Sequence, residues 1–261
     1  MEEKGMENYL IEEREDGLLF FTIKRAEKRN AINYEVMDGL SEAINLAKQP
    51  HVKALVVTGE GEKAFCSGGD LSVFHGLRTE EQAYGMLSKM GKILYDLFML
   101  PKPTVALMNG TALGGGCELA TACDIRIAHK DIKAGFVQGT LAITTGWGGG
   151  SIVLEKLPMA TGMKMLLEAK RYSAEELLSL GFVQYIYEGE AIEGFYKHLG
   201  GIFQLDVGVL QAYKEMMIRK WNENDMKGKI DKEIRRCAVL WEGEAHHQQV
   251  DKFVNKGGKK K

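Results

Sequence analysis

Residues 111–124, TALGGGCELATACD, place Gly114, Gly115 and Gly116 directly before a run with helical spacing. At the start of a helix the first backbone N–H groups have no partner within the helix, and the dipole is positive. A negative ligand atom is therefore favoured there. Glycine lets such an atom approach the backbone closely. A tight turn packed against a neighbouring strand would use the same residues. A second stretch, KAFCSGGDL at 63–71, presents Ser67, Gly68 and Gly69 before another helical segment. Two N–H donors from two such loops, converging on one point, would make an oxyanion hole, where losing one donor costs about 3 kcal/mol of transition-state stabilisation. GGGCE lacks the GxGxxG spacing of a dinucleotide fingerprint, and the chain shows no Walker lysine.

Both glycine loops need rigid elements to hold them. The runs GLLFFTI (17–23), VKALVVTG (52–59), PTVALMNG (103–110) and CDIRIAH (123–129) are short, apolar and rich in β-branched residues. Between the first two, NYEVMDGLSEAINLAK carries apolar residues at helical spacing. Strands alternating with helices predict an α/β architecture with parallel crossovers. From about residue 192 the strand signal fades, and VGVLQAYKEMMIRKWN and DKEIRRCAVLWEGEAHHQQVDKFV read as helices. The expected division is a mixed core over 1–191, carrying the loops, and a helical region over 192–261.

With 261 residues, 45% of them hydrophobic, the chain can bury a large core. A formal net charge of -2 supplies no broad basic field for nucleic acid, and KGGKKK reads as a short solvated tail. Cys66, Cys117, Cys123 and Cys237 form no CxxC pair and sit among apolar neighbours. They read as reduced thiols of a cytoplasmic protein, with no zinc site. His246 and His247 read as a helix surface pair, without a metal. No long apolar run follows the acidic start, so neither a signal peptide nor a membrane span is expected.

Five collinear motifs, RAEKRNAIN, KAFCSGGDL, MNGTALGGGCELATACD, GWGGG and SAEELLSLGFV, resemble the enoyl-CoA hydratase/isomerase, or crotonase, superfamily over nearly the whole chain. The resemblance implies a spiral of ββα units with a helical C-terminal trimerisation region, assembled as a homotrimer or a dimer of trimers. It also implies acyl-CoA thioester substrates, whose enolate is held by the N–H groups of Gly69 and Gly115. That chemistry suits the residues: deprotonating or forming the α-carbon of a thioester puts charge on the carbonyl oxygen, and two fixed donors stabilise it. No cofactor is expected beyond the coenzyme A of the substrate.

Hydratases of that superfamily use two glutamates to activate water and protonate the α-carbon. The first matches Glu118, and the second position holds Gln138. A glutamine orients a substrate but exchanges no proton near neutral pH. Decarboxylation of a short alkylmalonyl-CoA needs no base, and a neutral amide could hydrogen-bond the departing carboxylate. The stretch FVQGTLAITTGWGG looks more like the ethylmalonyl-CoA decarboxylase branch, although Gln138 and Thr145 depart from its histidine and proline. Decarboxylation is thus the leading expectation, with Glu118 positioning the substrate or protonating the enolate. An enoyl-CoA hydratase or isomerase is the alternative, and a non-catalytic acyl-CoA or RNA-binding protein the third reading. For coenzyme A, the resemblance points to Arg25, Lys28, Arg29 and Ala31 in the basic loop, to Gly68, Asp70 and Leu71 in the second loop, and to Lys252 near the end. Trp147 either walls the acyl pocket or packs in the core.

Overall fold

The four apolar runs lie side by side at the centre of one sheet. The computed structural model describes the backbone of residues 3–6 and 8–258 and the side chains of residues 8–252. Met1, Glu2, Glu7 and residues 259–261 lie outside the described residues, and with them parts of the acidic start and of the KGGKKK tail. The large sheet contains β1 (Glu3–Met6), β2 (Tyr9–Glu13), β3 (Leu18–Ile23), β4 (Ala54–Gly59), β6 (Thr104–Met108), β8 (Ile125–His129) and β11 (Tyr185–Tyr187), in that order. The first three strands pair antiparallel and the rest parallel. Leu19, Phe21, Leu55 and Val57 enter one hydrophobic cluster, and Leu18, Phe20, Ala54 and Val56 another. This period-2 division buries both faces, which is why the central strands read as unbroken apolar runs.

A second, smaller sheet holds β5 (Ala64–Cys66), β7 (Thr111–Leu113), β9 (Lys133–Gly135) and β10 (Tyr172–Ser173), in the order β10-β9-β7-β5. After α1 (Tyr34–Leu46), the chain visits the large sheet, the small sheet and a helix in turn. Strands β4 and β5 lead to α2 (Leu71–Phe74) and α3 (Glu80–Phe98), and β6 and β7 lead to α4 (Gly115–Ala122). Strands β8 and β9 lead to α5 (Gly149–Lys156) and α6 (Met159–Glu168). This is the ββα spiral that the motifs imply. Helix α7 (Ala174–Ser179) follows β10 and returns the chain to β11.

The helices α8 (Ala191–Leu199), α9 (Val207–Glu223), α10 (Met226–Glu242) and α11 (Glu244–Gly258) complete the chain. Phe195, Leu199 and Leu210 enter the cluster on one sheet face, whereas Trp221, Ile230, Ile234, Cys237 and Trp241 enter the other. The boundary near residue 192 separates two sequence patterns, but the helices beyond it share the core of the strands. The reading of His246 as a surface residue is corrected. It is 3% exposed, its Nδ1–H donates to Leu141 O at 2.7 Å, and its ring packs on Trp241. Burial, the largest influence on this imidazole, holds its pKa below the ordinary value. All four cysteines are buried and free. Among the described residues no helix is long and apolar enough to cross a membrane.

The C-terminal end of α4 is tied down by cations. Lys156 Nζ donates to the carbonyls of Thr121, Ala122 and Cys123, and Arg126 Nη1 donates to Cys123 O at 2.7 Å. Cations are favoured at this negative end of a helix. Just beyond it, buried Lys214 of α9 contacts both carboxylate oxygens of Asp124 at 2.6 Å. Replacing Lys214 by Met strands Asp124 without its cation, and the expected loss is about 3–5 kcal/mol of unfolding free energy in urea. A loss below about 1 kcal/mol would show that the pair does not anchor α9.

Candidate active site

Three neighbouring strands of the small sheet deliver three loops to one place. Strand β5 pairs parallel with β7, and β7 with β9. Their carboxyl ends therefore set the Ser67–Gly68–Gly69 loop, the start of α4 and the Phe136–Val137–Gln138 segment side by side. Gly114 N–H donates to Gly135 O at 3.0 Å, and a Cβ on Gly68 would lie 3.2 Å from Gly115 N.

Each of the three consecutive glycines has its own reason. Gly114 has φ +55°, in the region that side chains disfavour. A Cβ on Gly115 would collide with the Trp147 ring, and one on Gly116 with Cys66 O. The alternative of a packed turn is thus partly right, because Gly116 is needed for close packing on β5. Gly115 is the first residue of α4, and its N–H has no intrahelical acceptor. Among the described residues, neither Gly69 N–H nor Gly115 N–H donates to a protein group, and both glycines are partly exposed. They are two fixed, reachable donors.

Glu118 lies one turn into α4, directly behind these donors, and is 2% exposed. Four groups donate to its carboxylate. Gln138 Nε2 at 2.8 Å and Gly146 N at 3.3 Å meet Oε1, and Trp147 N and Gly149 N, each at 2.9 Å, meet Oε2. Burial raises the pKa of this carboxyl, the charge of Glu233 raises it further, and the backbone donors Gly149, Trp147 and Gly146 oppose them. The balance stands at about 7. A carboxyl poised there can take and return a proton near neutral pH.

Gln138 opens a short 3-10 turn after β9 and is 9% exposed. Its amide nitrogen faces Glu118 and donates to the carboxyl Oε1. Its other atom, the amide Oε1, is buried and among the described residues has no hydrogen-bond partner. Trp147 is buried, with its ring against Gly115 and within 3.5 Å of a Cβ placed on Gly69. It belongs both to the core and to the wall beside the two donors.

Arg25 is buried, with Nη1 donating to Ala31 O at 2.6 Å and Nη2 to Asp70 Oδ2 at 2.7 Å. Burial and the ion pair make its guanidinium an internal strut. Asp70 completes that strut and caps α2 through Ser72 N. Burial raises its pKa, but hydrogen bonds from Ser72 and Arg25 more than offset this, and the carboxyl lies below its ordinary value. Leu71 begins α2 and is partly exposed. Lys28 and Arg29 are exposed on a turn joined to the second glycine loop, where Ser67 N–H donates to Arg29 O and Ile32 N–H to Gly68 O. Lys252 is exposed on α11, and among the described residues no hydrogen bond or ion pair joins it to the others. The sequence motifs missed Glu233, which receives Gly150 N and Ser151 N and acts on Glu118. Its signal was a carboxylate directly before Ile234 in the apolar stripe of Ile230, Ile234 and Cys237 on α10.

Comparison with known proteins gives a consistent picture. The family model described as enoyl-CoA hydratase/isomerase matches residues 13–257. A short-chain-enoyl-CoA hydratase of Clostridium acetobutylicum is 28% identical over 251 residues, covering 95% of each chain. An ethylmalonyl-CoA decarboxylase of Xenopus laevis is 29% identical over 246 residues, 93% of this chain and 82% of the relative. The crystal structure of an enoyl-CoA hydratase from Bacillus halodurans superposes with a TM-score of 0.84 at 24% identity, covering 94% of this chain and 99% of the other.

The raised Glu118 carboxyl has a sign that can be read in stability. The folded state keeps a proton that the unfolded chain releases near 4.5. The associated stability is complete below that pH and is lost as pH rises through about 7, by roughly 3 kcal/mol in all. Urea unfolding from about pH 5 to pH 8 should show wild-type stability falling relative to Glu118→Gln by that order. A difference that does not vary with pH would contradict the assignment.

Proposed function

Because the chain belongs to the enoyl-CoA hydratase/isomerase family, we propose that it adds water across the double bond of an enoyl-CoA thioester. The observation that carries the proposal is one buried carboxyl, Glu118, a turn into the helix that Gly115 opens, together with the N–H groups of Gly69 and Gly115, which among the described residues have no acceptor. Water attacks the β-carbon, and the thioester carbonyl oxygen gains charge that the two N–H groups stabilise. Glu118 takes a proton from the attacking water and passes a proton to the α-carbon. Hydroxyl and hydrogen then both reside on the product, and the carboxylate is restored. Gln138 Oε1, buried and without a donor among the described residues, accepts the second O–H of the water and fixes its direction. The relative named as a short-chain-enoyl-CoA hydratase supports this reaction. A double-bond shift needs the same parts without water, since one carboxyl can remove and return a proton.

The likeness to a decarboxylase supports the other reading. Decarboxylation aided by Gln138 requires an amide N–H directed at the substrate carboxylate. Here one of the two N–H groups of that nitrogen is engaged by Glu118, and the buried Oε1 beside it would repel a carboxylate. Hydration is therefore preferred. Neither reaction, as drawn, calls for a metal or a redox cofactor. For the substrate's phosphates our candidates are Lys28, Arg29 and Lys252, all exposed. A homotrimer or dimer of trimers is proposed as the working assembly. Val209, Tyr213, Met216 and Met217 leave an exposed apolar stripe on α9 that suits a second copy.

Purified protein incubated separately with crotonyl-CoA and ethylmalonyl-CoA, and followed by mass spectrometry, tests the proposal. The expected result is a gain of one water by crotonyl-CoA and a fall in kcat/KM of about 100-fold or more in Glu118→Gln. Loss of carbon dioxide from ethylmalonyl-CoA with crotonyl-CoA untouched would overturn it in favour of decarboxylation.

A further inference from the structure

Helix α5 begins where two carboxylates from distant parts of the chain meet. Glu118 of α4 receives the N–H groups of Gly146, Trp147 and Gly149. Glu233 of α10 receives the next two, with Gly150 N donating to Oε1 at 3.0 Å and Ser151 N to Oε2 at 2.6 Å. A helix start carries a limited positive partial charge. Here it is divided between two anions, and each side chain is held where it feels the other.

The setting of Glu233 is built. Its neighbours Ile230 and Ile234 are buried, Ile230 against Gly148 and Ile234 against Gly91. Glu233 itself is half-buried, and α10 packs along α3 and α5. The carboxylate is therefore presented by a rigid helix whose apolar contacts set its height against the loop that cradles Glu118.

We infer that Glu233 is a positioning residue for Glu118, sharing the amino terminus of α5 with it and thereby setting how tightly Glu118 holds its proton. The inference rests on the reading of Glu118 as the proton carrier. The other groups around Glu118 leave the effect to Glu233. From α10 comes Cys237, whose buried thiol is pushed up to about 12, foremost by burial, and donates to Thr144 O. From α4 itself comes Cys117, also buried and raised, foremost by burial. Both thiols are neutral near pH 7. Gln138 is uncharged, and the remaining contacts are backbone N–H groups. Of the influences on the Glu118 carboxyl, burial is the largest, and Glu233 is the charged side chain among them.

The test reads the Glu118 proton without substrate. Infrared difference titration of the full chain follows the carboxyl band, which is assigned by its loss in Glu118→Gln. In Glu233→Gln the transition is expected to move down by about one pH unit, and the rising limb of kcat/KM with pH should move with it. In Glu233→Asp, which keeps the charge, it is expected to stay near the wild-type position. Ser151→Lys leaves Glu233 and its acceptor atoms in place and sets a cation beside them, so a downward shift is expected there too. The Ser151→Lys variant decides the matter if Glu233→Gln does not fold. A transition that stays at the wild-type pH in folded Glu233→Gln, or in Ser151→Lys, would overturn the inference and reduce Glu233 to a helix cap. That outcome would leave the role of Glu118 standing. If instead no enoyl-CoA reaction occurs, the titration still reports whether Glu233 acts on Glu118.

Discussion

A carboxyl group almost sealed from solvent is the constraint on which the rest of the site depends. An ionised carboxylate taken out of water without partners costs more than a marginally stable fold can bear. Glu118 is tolerated because three backbone N–H groups and one amide converge on it. Their support falls short of restoring an ordinary carboxyl, because burial and Glu233 still outweigh the backbone donors. That imbalance is what makes the group chemically useful. It holds a proton loosely enough to exchange it near neutral pH, in a place where a lone surface glutamate would be fully ionised.

Two helix starts divide the work. At the start of α4 the Gly115 N–H has no acceptor among the described residues, whereas the start of α5 turns its N–H groups on the two carboxylates. Backbone donors suit both tasks because strand pairing fixes them before a ligand arrives, and no side chain must reorganise during reaction. Strand pairing in the small sheet brings the Gly69, Gly115 and Gln138 segments together. Packing of α10 on α3 and α5 holds the Gly146–Gly149 cradle from the other side. The helical C-terminal region is thus part of the site as well as of the core.

Much of this was legible in the chain. The four strands buried on both faces announce themselves as apolar β-branched runs, and the two glycine loops mark the donors. The strands of the small sheet are three residues or fewer, such as Ala64–Cys66 and Tyr172–Ser173, too short to show a period. Pairing across them decided where the loops meet, and no local pattern carries that information. Arg25 reads as a free cation until Asp70, far along the chain, closes on it. His246 sits in a polar-looking helix end, yet Trp241 and Leu141 bury it. Glu233 has no motif, because its effect arises from two helices meeting over α5. In each case the missing term is a contact between residues distant in sequence.

The central claim is that Gly69 and Gly115 hold a thioester enolate while Glu118 moves its proton. Exchange of the α-hydrogens of a saturated acyl-CoA in deuterium oxide tests this most directly, because it requires enolate formation and no further reaction. The account predicts mass gain at the α-carbon with the wild-type protein and none above the uncatalysed rate with Glu118→Gln. Exchange that persists undiminished in Glu118→Gln, or is absent from a wild-type protein that binds the acyl-CoA, would contradict it.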